Sequence, residues 1–289
     1  FWEREKELGG YFMELGGWER AHGYAANEHL LEKYGNRVPV RESEWDNRHF
    51  WRVSNAEHLA MSEDCGIVNL SHFAIYDVTG PDHVALMEWL CAARIGGDAN
   101  IGKGIYTHFL DDEGMVRADL TVIRMADRCR VIDGADAGPR DFAYMKRVAQ
   151  DKGFDATVTD VTEKYVTIGI WGPNARVTLQ KAVEDPAGLA PENFPFAAIK
   201  PVRIAGKDVS AFRISYVGEQ GFELHMHYED GLAVWDALRA TGVMAFGVET
   251  YANSRRMEKS LRLQNADLLT EYNLFEADLA RPKVKEADF

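Results

Sequence analysis

The 289-residue sequence has little cysteine and little proline, three and nine residues. Cys65, Cys91 and Cys129 are odd in number and widely spaced, with no CxxC pair and no zinc spacing. They are expected to be buried or free thiols in a reducing compartment, not a disulfide framework. Basic residues are outnumbered, 33 Lys and Arg against 46 Asp and Glu, for a net charge of −13. That excludes an extended nucleic-acid surface, which needs a basic patch, but leaves room for a local basic pocket holding an anionic ligand. No apolar run approaches the roughly 20 residues that span a bilayer. The opening Phe1-Trp-Glu-Arg-Glu-Lys6 has no signal-peptide pattern. It also lacks Met, which reads as an internal fragment or a processed end.

Several motifs are missing as well. No GxGxxG follows a strand and opens a helix; Gly96-Gly-Asp-Ala-Asn-Ile-Gly102 has the wrong spacing and context. The chain is therefore not expected to carry its own dinucleotide fold. Walker, GxSxG and HExxH patterns are absent too. His225 and His227 would share one face of a strand, as a metal pair or a solvated strand edge. The solvated edge is preferred, and no metal site is expected.

What is present is a duplication. Phe73 to Leu90 and Tyr165 to Ala182 each read as a β-branched, aromatic strand, then Gly-Pro, then an amphipathic helix. Pro81 and Pro173 suit a first helical turn. Val84, Met87 and Cys91 are expected on one helical face, and Val177, Leu179 and Val183 approximately so. A hairpin follows each unit, turning at Asp111–Gly114 and at Ala205–Asp208. Further helices are predicted over 140–153, 229–242 and 248–261. Two β-α-β-β units about 90 residues apart predict an α+β fold of duplicated half-domains, with mixed and antiparallel sheets around a central ligand cleft. Residues 1–47 are expected to form a lead-in packed on a body at 48–289, with halves at about 48–160 and 161–289.

Two segments carry candidate chemistry. In the strand after the first hairpin, Val116, Ala118, Leu120 and Val122 alternate with Arg117, Asp119, Thr121 and Ile123. Asp is disfavoured mid-strand. Asp119 is thus either a solvent-facing residue on a one-sided sheet or an acid facing a ligand. If partly buried, it gains a raised pKa and a proton-handling role near neutral pH. Thr121 points the same way. In the second segment, Gly218-Glu-Gln-Gly221 breaks a strand. Glu219 there is either a surface charge or an acceptor for a planar pair of donors. Tyr216 either stacks on an aromatic ligand or fills the core.

The ordered set Gly66-Ile-Val-Asn-Leu-Ser71, Val78-Thr-Gly-Pro-Asp82, Tyr106-Thr107, Gly114-Met-Val-Arg-Ala-Asp-Leu-Thr-Val122, Trp171-Gly-Pro-Asn-Ala175 and Ser215-Tyr-Val-Gly-Glu-Gln-Gly-Phe-Glu-Leu224 resembles the aminomethyltransferase superfamily of the glycine-cleavage T-protein. Gly16-Gly-Trp-Glu-Arg20, Tyr251-Ala-Asn-Ser-Arg-Arg-Met-Glu-Lys259 and Glu271-Tyr-Asn-Leu-Phe-Glu-Ala-Asp278 resemble its dimethylglycine and sarcosine dehydrogenase branch. The resemblance implies a tetrahydrofolate-dependent enzyme that captures a methylene unit from an oxidised methylamine as 5,10-methylene-tetrahydrofolate. It implies Asp119 as the catalytic acid, with Tyr106, Thr121, Tyr216 and Glu219 contacting folate and Glu219 gripping the pterin's amino-pyrimidine edge. Asp119 and Glu219 are expected to converge on one hollow between the half-domains. FAD is expected only on a separate domain or subunit, with a small methylated amine or other methyl donor as the second partner. The expected location is cytoplasmic, or the mitochondrial matrix in a eukaryote.

Two rival readings accompany it. One is a direct tetrahydrofolate-dependent demethylase of an S-, O- or N-methyl donor. The other is a non-catalytic folate-binding protein that assists iron–sulfur enzymes; its Lys-Gly-Cys-Tyr motif is absent, since Lys103-Gly-Ile-Tyr106 lacks the Cys. Three departures stand out. Asn253 replaces the Arg of the T-protein's late helix, and Leu263-Gln-Asn-Ala-Asp267 replaces a Trp-Gly pair. The sequence ends at Glu286-Ala-Asp-Phe289, so neither the family's C-terminal β-rich domain nor its N-terminal flavin domain is expected within these residues.

Overall fold

A computed structural model describes residues 1–38, 40–43, 45 and 50–280. The expectation about the terminal segment at 286–289 lies outside the described residues. The chain opens with α1 (Trp2–Glu7), the hairpin β1 (Gly10–Leu15) and β2 (Trp18–Tyr24), then α2 (Leu30–Tyr34), α3 (Trp51–Glu63) and β3 (Gly66–Asn69). There follow β4 (Ala74–Thr79), α4 (His83–Leu90), β5 (Lys103–Leu110), β6 (Val116–Arg124), β7 (Cys129–Asp133), α5 (Gly138–Lys152) and β8 (Thr157–Asp160). The remainder is β9 (Tyr165–Trp171), α6 (Ala175–Gln180), β10 (Ile199–Ile204), β11 (Lys207–Phe212), β12 (Gly221–His227), α7 (Gly231–Ala240), β13 (Met244–Ala245), a π-helical turn (Thr250–Arg255) and α8 (Arg256–Glu258). The fold is α+β, and both predicted strand–helix–hairpin runs are present, as β4-α4-β5-β6 and β9-α6-β10-β11.

The chain divides into two compact units, neither contiguous in sequence. One comprises Phe1–Ser71, Val166–Phe196 and Lys200–Leu261; the other comprises His72–Tyr165, Ala197–Ile199 and Arg262–Phe289. The second unit holds a five-stranded sheet in the order β5-β6-β7-β4-β8, antiparallel throughout. One face packs Val78, Ala118, Leu120, Val122 and Val131 against Leu86, Met87 and Leu90 of α4 and Met145 and Val148 of α5. Burying each large apolar side chain of this kind stabilises by about 1.5–3 kcal/mol. The first unit holds the mixed sheet β10-β11-β12-β9-β3-β13, in which β13 runs parallel to β3. The β1–β2 hairpin turns at Gly16 and Gly17, both at positive φ, where glycine carries no Cβ penalty.

Details differ from the periodicity reading. Pro81 and Pro173 each lie just before the N-cap, Asp82 or Asn174, not inside the first turn. Val177 faces solvent, because α6 buries the face formed by Ala175, Thr178 and Leu179. On α4 the expected Met87 and Cys91 are buried in the core together with Leu86 and Leu90, while Val84 is only half-buried. The helix expected over 248–261 is a π-helical turn followed by a short α-helix. His225 is buried and hydrogen-bonded to Thr167 on the interior strand β12, so the solvated-edge reading fails there; His227 is exposed. All three cysteines are buried and none forms a disulfide. Among the described residues, no helix is long and apolar enough to cross a membrane.

Candidate active site

The face of the second unit's sheet opposite α4 and α5 carries a compact polar block. The register of β5 on β6 sets Tyr106 beside Thr121 and His108 beside Asp119. Residues two apart on a strand share a face, so all four side chains project together. Asp119 is mostly buried, its side chain 13% exposed, and His108 is buried; Tyr106 is 45% exposed. The Tyr106 hydroxyl lies 3.2 Å from His108 Nε2, and the two rings meet edge-on with centroids 4.9 Å apart.

Burial pushes the Asp119 carboxyl up to about 7, partly offset by a hydrogen bond from Tyr106. Burial also pulls His108 down to about 4, so its imidazole is neutral at pH 7. His108 Nε2 and Asp119 Oδ1 are 4.0 Å apart. With a neutral ring this is proximity, not an ion pair. A phenol has one proton to donate. When Asp119 is ionised, Tyr106 donates it to the carboxylate and His108 donates its Nε2–H to Tyr106. The result is a chain from imidazole through phenol to carboxyl, able to hold or pass one proton.

A second acid pair lies behind this block, on the helix-covered face. Asp133 ends β7 and Asp141 sits in the first turn of α5, both buried. Burial raises both, with repulsion from Asp141 adding to the rise at Asp133 and Arg140 offsetting it at Asp141; the pair is best described as sharing one proton, which satisfies the otherwise partnerless Asp133 Oδ2. Arg140 clamps Asp141 through two bonds, at 2.9 and 3.0 Å.

In the first unit, Gly218 adopts a left-handed φ of +83° and turns the chain at Glu219. Glu219 Oε1 accepts from Arg255 Nη2 at 2.8 Å, with Lys259 Nζ 3.9 Å away. Arg255 is buried and also reaches Glu258 and, at 3.1 Å, His58 Nε2. The guanidinium can only donate, so His58 accepts at Nε2 and carries its proton on Nδ1, 3.0 Å from Ser254 Oγ. Burial and Arg255 together lower the pKa of His58. The planar donor anticipated for Glu219 is thus supplied at one oxygen by the chain itself. Tyr216 packs on Tyr251 with centroids 5.3 Å apart, and Tyr251 stacks on Trp171 at 5.1 Å.

Tyr106, Asp119 and Thr121 therefore belong to one cluster, while Tyr216 and Glu219 flank one turn of the other unit. Sequence reasoning missed His108, which alternation along β5 from Tyr106 would have placed. It also missed Arg255, for which the local pattern offers no signal.

An α+β body thus carries, on a strand hairpin, a mostly buried carboxyl of raised pKa, an arrangement suited to holding or moving a proton. The model of the GCVT N-terminal domain matches residues 1–283, and the chain belongs to that family. It is 31% identical over 264 residues to an aminomethyltransferase of Listeria welshimeri, covering 90% of this chain and 70% of that protein. It is 29% identical over 269 residues to the mitochondrial dimethylglycine dehydrogenase of Rattus norvegicus, covering 91% of this chain. There it spans only 30% of the relative's length. The solved aminomethyltransferase T of the glycine cleavage system from Bartonella henselae shares the fold, with a TM-score of 0.75 at 23% identity over 96% of this chain and 66% of that one.

Proposed function

We propose that the chain is a tetrahydrofolate-dependent one-carbon transfer module with Asp119 as its acid–base residue. The observation that carries this is the Asp119 environment: a mostly buried carboxyl raised to about 7 and held by the Tyr106 hydroxyl. Family membership and the dimethylglycine dehydrogenase and aminomethyltransferase relatives support it. The residues suit a reduced pterin. A carboxyl held by one hydroxyl keeps acceptor sites for ring N–H groups, and the half-exposed Tyr106 offers an aromatic edge beside it. When bound, tetrahydrofolate supplies the N5 and N10 nucleophiles that take up the one-carbon unit as 5,10-methylene-tetrahydrofolate.

Asp119 orients those amines as a carboxylate and, poised near neutral pH, takes or returns a proton at its own oxygen. His108 and Tyr106 keep that oxygen fixed. Glu219, steadied by Arg255, is assigned the pterin's amino-pyrimidine edge, and Thr121 and Tyr216 further ligand contacts. The donor is proposed to be a methylated amine oxidised on a flavin domain or subunit outside these residues.

Incubating the protein with tetrahydrofolate and formaldehyde or an oxidised methylamine, and identifying the folate product, tests the reading. The 5,10-methylene form is expected to appear faster than in a protein-free control, and Asp119→Asn should remove nearly all of that acceleration with the fold intact. The 5-methyl form from a methyl donor would favour direct demethylation, and no folate binding would remove the proposal.

A further inference from the structure

The segment Leu263–Asp267 does something specific in this fold. β7 pairs with β6 only over Leu120–Arg124. At Arg117 and Asp119, β6 is flanked by β5 on one side and has run past the end of β7 on the other. The backbone groups of residues two apart point to the same side of a strand. The carboxamide of Gln264 occupies that side: Oε1 accepts from Asp119 N at 2.5 Å and Nε2 donates to Arg117 O at 2.9 Å. One side-chain amide thus reproduces the donor–acceptor pair that a neighbouring strand would have offered.

The loop behind it is closed. Asn265 N donates to Leu268 O at 3.0 Å, Asp267 N to Leu263 O at 2.8 Å, and Leu263 N to Asp267 Oδ2 at 2.9 Å. Leu268 is buried in an apolar cluster with Val116, Ala92 and Leu274, anchoring the loop against the start of β6. Arg117 O also accepts from Arg140 Nη2 at 2.6 Å, so the same carbonyl ties Gln264 to the Arg140–Asp141 clamp.

We propose that Gln264 is a positioning residue for Asp119: its carboxamide fixes the backbone of β6 where β7 no longer does, and so holds the Asp119 carboxyl in line with Tyr106 and His108. The proposal rests on Asp119 being the acid–base residue, but its geometry can be tested without folate. Misplacing a reacting group by about 1 Å costs on the order of 100-fold in rate. Loss of the amide takes the partner from the part-buried Asp119 N–H, so β6 is expected to shift toward another one.

The test uses three variants. Gln264→Met keeps the side-chain length and removes both hydrogen bonds. Gln264→Glu restores both when protonated, since its O–H then donates to Arg117 O, and loses the donor when ionised. Asn265→Gly keeps the left-handed φ of +62° but removes the bond from Asn265 to Asp136, as a control for loosening the loop. The first readout is the carboxyl titration of Asp119 in the ligand-free protein, followed by carbon NMR. Gln264→Met should move its midpoint upward by about half a unit or more as the Tyr106 bond is lost; Asn265→Gly should not move it. The second readout is kinetic: about a tenfold or greater fall in kcat for Gln264→Met with KM for tetrahydrofolate within about threefold, and in Gln264→Glu a gap to wild type at the same pH that closes as pH falls. An unmoved Asp119 midpoint in folded Gln264→Met, or an equal shift in Asn265→Gly, overturns the proposal. If Gln264→Met does not fold, the pH-dependent recovery in Gln264→Glu decides it. Failure to bind folate, with the titration shift present, would sink the functional reading and leave the positioning role standing.

Discussion

Asp119 and Glu57 are both buried carboxyls raised to about 7, yet their surroundings differ in kind. Glu57, on α3, accepts four hydrogen bonds. Tyr24 N and Asn27 Nδ2 reach Oε1 at 3.2 and 2.7 Å, and Gly247 N and Thr250 Oγ1 reach Oε2 at 2.9 and 3.1 Å. It pins the N-terminal hairpin to the segment that enters the π-helical turn, and its acceptor capacity is used up. Asp119 is held at the carboxyl by Tyr106 and keeps acceptor sites beside a half-exposed ring. An elevated pKa alone does not mark a reactive acid; open hydrogen-bonding capacity on the same carboxyl does.

Substitution by the neutral amide should separate the two residues. The largest expected effect is on activity: Asp119→Asn should lower one-carbon transfer by about 10³-fold, measured as methylene-folate formation, while Glu57→Gln should leave the rate of the folded fraction near wild type. For stability the order reverses. Gln at 57 turns an NH₂ group toward two donors, and should destabilise by about 2–4 kcal/mol in urea unfolding at pH 7.

Asp119→Asn should instead stabilise above neutral pH. Its folded-state pKa lies above the ordinary 3.8, so the folded chain binds the proton more tightly than the unfolded one. The associated stability is complete below about pH 4 and lost as pH rises toward 7. Asn abolishes that loss, a gain of up to about 4 kcal/mol at pH 8 from roughly three pH units at 1.36 kcal/mol each. Parallel urea curves for wild type and Asp119→Asn between pH 4 and 8 should therefore diverge as pH rises. Curves that stay parallel across that range would mean an ordinary, solvated Asp119.

Smaller effects should follow at the supporting residues. Arg255→Met frees Glu219 from its guanidinium and should weaken tetrahydrofolate binding by about tenfold, read by calorimetry. His108→Phe removes the donor behind Tyr106 while keeping a ring in place. It should shift the acidic limb of the rate profile and lower kcat by about three- to tenfold, with little change in folate affinity. An unchanged profile would reduce His108 to core packing.

Much of this was legible in the sequence because local signals carried it. Gly80-Pro81 and Gly172-Pro173 punctuated strand and helix in both repeats, and alternation along 116–123 put Asp119 on the polar face of β6. Glycines at 218 and 221 marked the turn that presents Glu219. What stayed hidden depended on partners distant in sequence. Alternation from Tyr106 could have put His108 on the polar face of β5, but its place beside Asp119 comes from the β5–β6 register. Arg255 meets Glu219 across 36 residues, and Gln264 meets Asp119 across 145. The π-helical turn at Thr250–Arg255 escaped a reading tuned to a period of 3.6. The segment Leu263–Asp267 read from sequence only as a departure from a Trp-Gly pair, and in the fold its Gln264 bonds the backbone of β6 at Arg117 and Asp119.

The most direct test of the central claim is a site-resolved titration of the Asp119 carboxyl in the wild-type protein, with carbon NMR assignments confirmed by Asp119→Asn. A midpoint near 7 is expected. A midpoint below about 5, in the usual range of solvated carboxylates, would contradict a proton-handling role at this residue.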